Sequence, residues 1–234
     1  MGIKKVKNAI RNARANNEYL KYYDAPIDDK AILLEAAQGK HTDGNIFAFL
    51  RCVEENPRWQ YLTPYVVITR ESKAEAQKKF ARYGFRRAKL VVRNSTEYMK
   101  ILATAKYLIT DNSFPPYFIK KLGQIYLNTW HGTPLKRLGR ADITNSTSIG
   151  NVQKNFLTAD ILLQPNSYTK EVMMKDYMVD RVYGGRVVVA DYPRNDVLFT
   201  RPLEVELRTK FNPNGKKIIA YMPTWRGTGR NANV

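Results

Sequence analysis

The sequence predicts an α/β protein in which a Rossmann-like parallel sheet carries helices on both faces. Short apolar runs recur along the chain, segments of helical periodicity separate them, and loop-forming residues close the runs. Strands that are apolar at successive positions are buried on both faces, and helices supply that cover. Right-handed crossovers between such strands give the Rossmann-like unit.

In chain order, residues 1–24 form a basic arm in which Ile3, Val6, Ile10 and Ala13 recur at helical spacing among Lys4, Lys5, Lys7, Arg11 and Arg14. The arm reads either as a short amphipathic helix lying on an anionic bilayer or as a solvated segment. After Pro26 come the strand candidates Ala31-Ile32-Leu33-Leu34, Tyr65-Val66-Val67-Ile68, Leu90-Val91-Val92, Tyr107-Leu108-Ile109 and Ile125-Tyr126-Leu127. Residues 45–55, 73–83 and 96–106 are the helices between them. Two further helices, 151–157 and 167–177, bracket the run Ala159-Asp160-Ile161-Leu162-Leu163, which Gln164-Pro165-Asn166 ends as a strand-to-helix loop. Residues 186–190 read as another strand. Phe211-Asn212-Pro213-Asn214-Gly215 marks a linker, after which 217–221 read as a new strand. The expected organisation is therefore the arm at 1–24, a Rossmann-like domain at 25–210, and at 211–234 a linker with the first strand of an incomplete domain.

A chain of 234 residues with 44% hydrophobic composition can bury one complete core. Its 39 Lys+Arg against 21 Asp+Glu give a net charge of +18, which favours partners bearing phosphate or an anionic membrane surface. Charge alone leaves nucleic acid, lipid headgroups and a polyanionic polymer open. The single cysteine, Cys52, cannot form an intramolecular disulfide, and no Cys/His cluster has zinc spacing. A reducing, cytoplasmic location is the expectation. The arm lacks the apolar run of a signal peptide, and no stretch approaches the roughly 18 apolar residues of a membrane-spanning helix.

The segment richest in chemistry is Asn128-Thr129-Trp130-His131-Gly132-Thr133-Pro134-Leu135-Lys136-Arg137-Leu138-Gly139. It follows a predicted strand, so it lies at the carboxyl end of the sheet, where such folds bind ligands. His131 exchanges a proton near neutral pH as a general base must, or is a structural loop histidine. Gly132 allows close backbone approach, Thr133 offers a hydroxyl, and Lys136 and Arg137 offer charge to a phosphate. A helix capped by Thr133 and begun by Pro134 would add backbone N–H groups to an anion site. The other histidine, His41, lies in Gly39-Lys40-His41-Thr42-Asp43-Gly44 and reads as a crevice residue or a plain turn. Asp191-Tyr192-Pro193-Arg194-Asn195-Asp196 follows a strand and brings a guanidinium, an amide and a carboxylate together, or is a proline turn with caps. In Met222-Pro223-Thr224-Trp225-Arg226-Gly227, Thr224 and Arg226 can hold phosphate beside Trp225.

Taken together, Trp130-His131-Gly132-Thr133-Pro134-Leu135-Lys136, Pro193-Arg194-Asn195-Asp196 and Pro223-Thr224-Trp225-Arg226, in that order, resemble the CDP-glycerol glycerophosphotransferase family of teichoic acid primases, polymerases and related capsular enzymes. The resemblance runs from about residue 30 to the end. It implies the first domain of a glycosyltransferase-B-type fold, truncated at the start of the second. It also implies transfer of glycerol phosphate or ribitol phosphate from a CDP-activated polyol donor to a lipid-linked polyol-phosphate acceptor, releasing CMP. On the same ground His131 is the catalytic base, and Gly132, Thr133, Lys136, Arg137, Arg194, Asn195, Asp196, Thr224 and Arg226 bind substrate phosphates. Lys136, Arg194 and Arg226 are then the local groups for charge developing on phosphoryl oxygens.

The resemblance further implies a peripheral position on the inner face of the cell membrane. No cofactor is expected, and no Asp-rich pair marks a metal site. Two departures stand out: Asp191 occupies a position where the family pattern has glycine, and no histidine follows Arg226. The family's second histidine belongs to the later domain, so the chain is expected to be part of a larger enzyme, inactive alone. The competing classes are a non-catalytic acceptor- or membrane-docking domain and a basic nucleic-acid-binding module. Basic residues scattered through all helices, with no nucleic-acid-binding signature, argue against nucleic acid as a partner.

Overall fold

The computed structural model describes residues 3–143, 149–199, 201–212, 214–217, 219–222, 226–228 and 231–233. Two units divide the chain, Met1–Asn195 and Asp196–Val234.

In the first unit the strands β1 (Asp28–Glu35), β2 (Thr63–Ile68), β3 (Lys89–Val92), β4 (Ala105–Thr110), β5 (Ile125–Asn128), β6 (Ile161–Gln164) and β7 (Arg186–Val189) form one sheet. Its order is β3-β2-β1-β4-β5-β6-β7, and every neighbouring pair is parallel. The order reverses between β1 and β4, which is where open parallel sheets leave a crevice at their carboxyl ends.

Burial explains why the strands are apolar at successive positions. Ala31 and Leu33 of β1 face one core, with Tyr98, Leu108, Phe156 and Met173, whereas Ile32 and Leu34 face the other, with Ile46, Leu50 and Phe80. Helices α2 (Gly44–Glu55) and α3 (Lys73–Tyr83) supply the second face. Helices α1 (Ile3–Leu20), α4 (Thr96–Thr104), α5 (Gly150–Thr158) and α6 (Ser167–Asp176) cover the first. Local signals set several ends. The Ser95 hydroxyl accepts from Tyr98 N–H at 3.1 Å to start α4, and Gly84 in the left-handed region ends α3. Helix α4 stops at Thr104, short of the expected 106, where Gln124 Nε2 donates to the carbonyls of Leu102 and Ala105 at 3.1 and 2.9 Å.

The expected arm is more than an arm. Helix α1 runs on to Leu20 because Ala15 and Tyr19 pack into the core, and the fully buried Tyr19 donates its hydroxyl to the Ile119 carbonyl at 2.9 Å. Val6 and Ile10, nearer its start, are exposed.

The second unit holds α7 (Arg201–Phe211) and a two-stranded antiparallel pair, β8 (Arg226–Thr228) with β9 (Asn231–Asn233). Residues 217 and 219–222 carry no strand, unlike the expectation for 217–221. Pro223, Thr224, Trp225 and the side chain of Arg226 lie outside the described residues. No described helix is long and apolar enough to cross a membrane.

Candidate functional site

Residues that sequence reading singled out lie in the loops at the carboxyl ends of β5 and β7 and meet there. The Asn128 side chain shapes the turn that leaves β5: its amide donates to the Asn112 carbonyl at 2.7 Å and its oxygen accepts from Trp130 N–H at 2.8 Å. Trp130 adopts φ of 51°, a left-handed conformation that is costly for a bulky side chain and tends to mark functional loops. It is held there by packing. Its indole lies edge-on to Phe156 and Tyr177 and stacks with the His131 imidazole, centroids 4.3 Å apart and planes 26° from parallel.

His131 is exposed to solvent along part of its ring, yet it rests on densely packed atoms. That burial, and then the positive charge of Arg194, hold its pKa below the ordinary imidazole value. A lowered imidazole pKa favours the unprotonated form that a general base requires. Arg194 Nη1 donates to the His131 carbonyl at 3.0 Å, and its guanidinium lies over the Tyr192 ring at 5.0 Å. A Cβ on Gly132 would lie 3.9 Å from Arg194 Nη2, an ordinary contact distance, so Gly132 sits beside the guanidinium without the space itself demanding glycine.

Asn45, at the start of α2, was read from sequence only as a helix residue, but it joins the two loops. Its Nδ2 donates to Thr129 Oγ1 at 3.3 Å and its Oδ1 accepts from Arg194 N–H at 3.4 Å. Thr129 in turn donates its hydroxyl to the Trp130 carbonyl at 2.8 Å, and both Asn45 and Thr129 are buried. Asp111, just beyond β4, was also missed. Burial raises its pKa to about 6 against the ordinary 3.8; the Ala37 N–H lowers it, Glu35 raises it and Arg194 lowers it. The only sequence signal for either residue was its place next to a strand's carboxyl end or crossover.

The remaining candidates fall in different places. No helix starts at Pro134, which corrects the expectation of an N-terminal anion site there. The Thr133 hydroxyl is instead engaged by Thr169 Oγ1 at 3.1 Å and Asn166 Nδ2 at 3.3 Å, at the start of α6. Gly139, with φ of 56°, then turns so close to α6 that a Cβ would meet the Asp176 carbonyl oxygen at 2.4 Å. Lys136 and Arg137 are exposed. Asn195 is partly buried and donates its N–H to the Tyr192 carbonyl at 2.8 Å, and Asp196 is exposed at the beginning of the second unit. Asp191 is not among the left-handed residues, so the chain passes through this position without the backbone that demands glycine. His41 is exposed in the turn before α2. Among the described residues no group of three or more His, Cys, Asp or Glu side chains is disposed to hold a metal ion.

The chain belongs to the CDP-Glycerol:Poly(glycerophosphate) glycerophosphotransferase family, whose model matches residues 19–234. It is therefore a member of a family of transferases of teichoic acid biosynthesis. It is 30% identical over 246 residues to the teichoic acid poly(glycerol phosphate) polymerase of Staphylococcus epidermidis, covering 96% of this chain and 31% of that protein. The polymerase of the same name from Bacillus spizizenii is 30% identical over 215 residues, covering 86% of this chain and 51% of the relative. Among solved structures, the wall teichoic acid polymerase TagF superposes with a TM-score of 0.69 at 27% identity, over 97% of this chain and 58% of TagF. A TagF variant soaked with CDPG matches with a TM-score of 0.69 at 25% identity, over 97% of this chain and 57% of that one. The chain thus spans about a third to a half of the curated relatives it matches.

Proposed function

We propose that this chain is the acceptor-side part of a transferase that moves a polyol phosphate from a CDP-activated donor to the end of a lipid-linked teichoic acid or capsular polymer, releasing CMP. The observation that carries the reading is His131, stacked on Trp130, its pKa lowered by its surroundings, and tied through its carbonyl to Arg194. A neutral histidine takes the proton of the acceptor's terminal hydroxyl as its oxygen attacks the donor's β-phosphorus, and CMP leaves. In this reading Arg194, whose guanidinium is held beside His131, stabilises charge developing on the phosphoryl oxygens. Glycerol phosphate is the favoured unit, since the relatives are named poly(glycerol phosphate) polymerases and TagF was soaked with CDPG.

The relatives are longer than the aligned region; in this reading the donor is held largely by a portion outside it, and this chain alone does not turn over. Docking at an anionic membrane surface, on the inner face of the cell membrane, is supported by the exposed Val6 and Ile10 beside Lys7, Arg11 and Arg14 on α1. The test is CMP release from CDP-glycerol with a lipid-linked glycerol-phosphate acceptor, by this chain alone and by the chain joined to a relative's donor-binding portion. Release by the joined form only is the expected result. Release by neither, with the acceptor still bound, would leave a docking domain.

A further inference from the structure

Helix α5 holds Trp130 in two ways, from two adjacent residues. The Phe156 ring meets the indole edge-on, centroids 5.3 Å apart. Asn155 reaches the Trp130 main chain through two intermediaries. The Tyr126 hydroxyl donates to Asn155 Oδ1 at 2.9 Å and accepts from Asn128 Nδ2 at 3.0 Å, and Asn128 Oδ1 accepts the Trp130 N–H at 2.8 Å. Asn155, Tyr126 and Asn128 are each at most 1% exposed.

The direction of every bond in this chain is fixed. Asn155 Oδ1 also accepts from Phe114 N–H at 2.9 Å, while its Nδ2 donates to the carbonyls of Asn151 and Phe114 at 2.8 and 3.2 Å. Its amide cannot turn over without setting donor against donor and carbonyl against carbonyl. Burial pushes the Tyr126 pKa far above the ordinary phenol value, so its single proton stays and goes to Asn155. The phenol oxygen is left to accept from Asn128, and this turns the Asn128 oxygen toward Trp130. A mis-set amide in such a buried network would strand several polar groups at once.

The consequence reaches the His131 ring. Trp130 holds a φ of 51° that its bulk disfavours, and the imidazole lies on its indole, centroids 4.3 Å apart. Whatever fixes the main chain and indole of Trp130 therefore fixes the platform under the imidazole.

We propose that Tyr126 and Phe156 are positioning residues for His131, the first acting through the main chain of Trp130 and the second through its indole. The inference rests on the transferase reading only for what the histidine does. Where the imidazole sits is measured without donor, acceptor or turnover.

The chain has two histidines, His131 and His41, so His41→Gln assigns the imidazole signals of the isotope-labelled chain, which NMR then follows across pH. Protons stacked over an aromatic face resonate upfield. In the wild type the His131 signals should lie upfield of an unstacked histidine, with a titration midpoint below the ordinary imidazole value. Tyr126→Phe removes one hydroxyl and keeps the ring that packs on Phe114 and Phe118. It should move the His131 signals downfield and raise the midpoint, because a loosened ring regains water. Phe156→Leu keeps the hydrogen bonds and should move both in the same directions. Val91→Ala, at a fully buried position of the same core on β3, is the control for general loosening and should leave them in place. Thermal unfolding establishes that each variant is folded.

Unmoved His131 signals in either folded positioning variant would overturn the proposal. So would equal movement in Val91→Ala, which would make the change a general loss of core rigidity. If the signals move as expected while His131→Ala keeps its turnover in the transfer assay, the positioning stands and the transferase reading falls.

Discussion

Arg194 Nη1 donates to the main-chain carbonyl of His131 at 3.0 Å, so the loop after β7 holds the histidine in the loop after β5. The same guanidinium sets the histidine's charge as well as its position, since it is one of the two causes that lower the imidazole pKa.

Arg194→Gln should therefore move the acid limb of kcat/KM toward higher pH. Removing a neighbouring positive charge makes the imidazolium easier to form, so the base is lost to protonation at a higher pH than in the wild type. A pH–rate profile of the assembled enzyme measures this. A limb that stays in place would show that burial alone sets the His131 pKa.

Asn45→Ala leaves Thr129 Oγ1 and the Arg194 N–H short of a partner in a buried region. Such a loss costs on the order of 1–3 kcal/mol, and both loops lose their common anchor. Urea unfolding should show the stability loss, and kcat should fall more than acceptor affinity.

Asp111 gives a pH-dependent signature. A carboxyl whose folded pKa is raised from 3.8 to about 6 stabilises the fold fully below the unfolded value and loses that contribution as pH rises through about 6. Asp111→Asn keeps the acceptor for the Ala37 N–H and should match the wild type at about pH 4. Near pH 8 it should be more stable by about 2–3 kcal/mol. Parallel unfolding curves at the two pH values decide it.

The buried Glu35 is held by Arg93 Nε at 3.0 Å and by the Tyr98 hydroxyl at 2.6 Å. Arg93→Met strands this carboxyl and should cost about 3–5 kcal/mol. Adding Glu35→Gln should recover much of that loss, because the stranded charge disappears. Equal instability of the single and double variants would contradict the pairing.

Much of the fold was legible because doubly buried parallel strands read as unbroken apolar runs: 65–68 and 90–92 fall inside β2 and β3, and 73–83 coincides with α3. Helix α7 was invisible because Leu203, Val205 and Leu207 recur every second residue, a period that suggests no helix, while Pro202 is acceptable only in a helix's first turn. The length of α1 was also hidden. Asn16, Asn17 and Glu18 interrupt its apolar pattern, and the burial of Tyr19 that holds it down is a tertiary contact.

In the site, His131 and Arg194 were recognisable from their motifs, whereas Asn45 and Asp111 were not. An asparagine beginning a helix and an aspartate ending a strand resemble ordinary caps and turns, and only the sheet order brings them beside those loops. Thr133 shows the converse: its sequence suggests a helix cap, but its hydroxyl is engaged by Asn166 and Thr169 at the start of α6.

The most direct test of the central claim is CMP release by the assembled enzyme, His131→Ala against wild type, with CDP-glycerol and a lipid-linked glycerol-phosphate acceptor. The account predicts a fall in kcat of about 10²–10⁴-fold, with melting temperature and acceptor affinity unchanged. Turnover within a few-fold of wild type would contradict it and remove His131 from the chemistry.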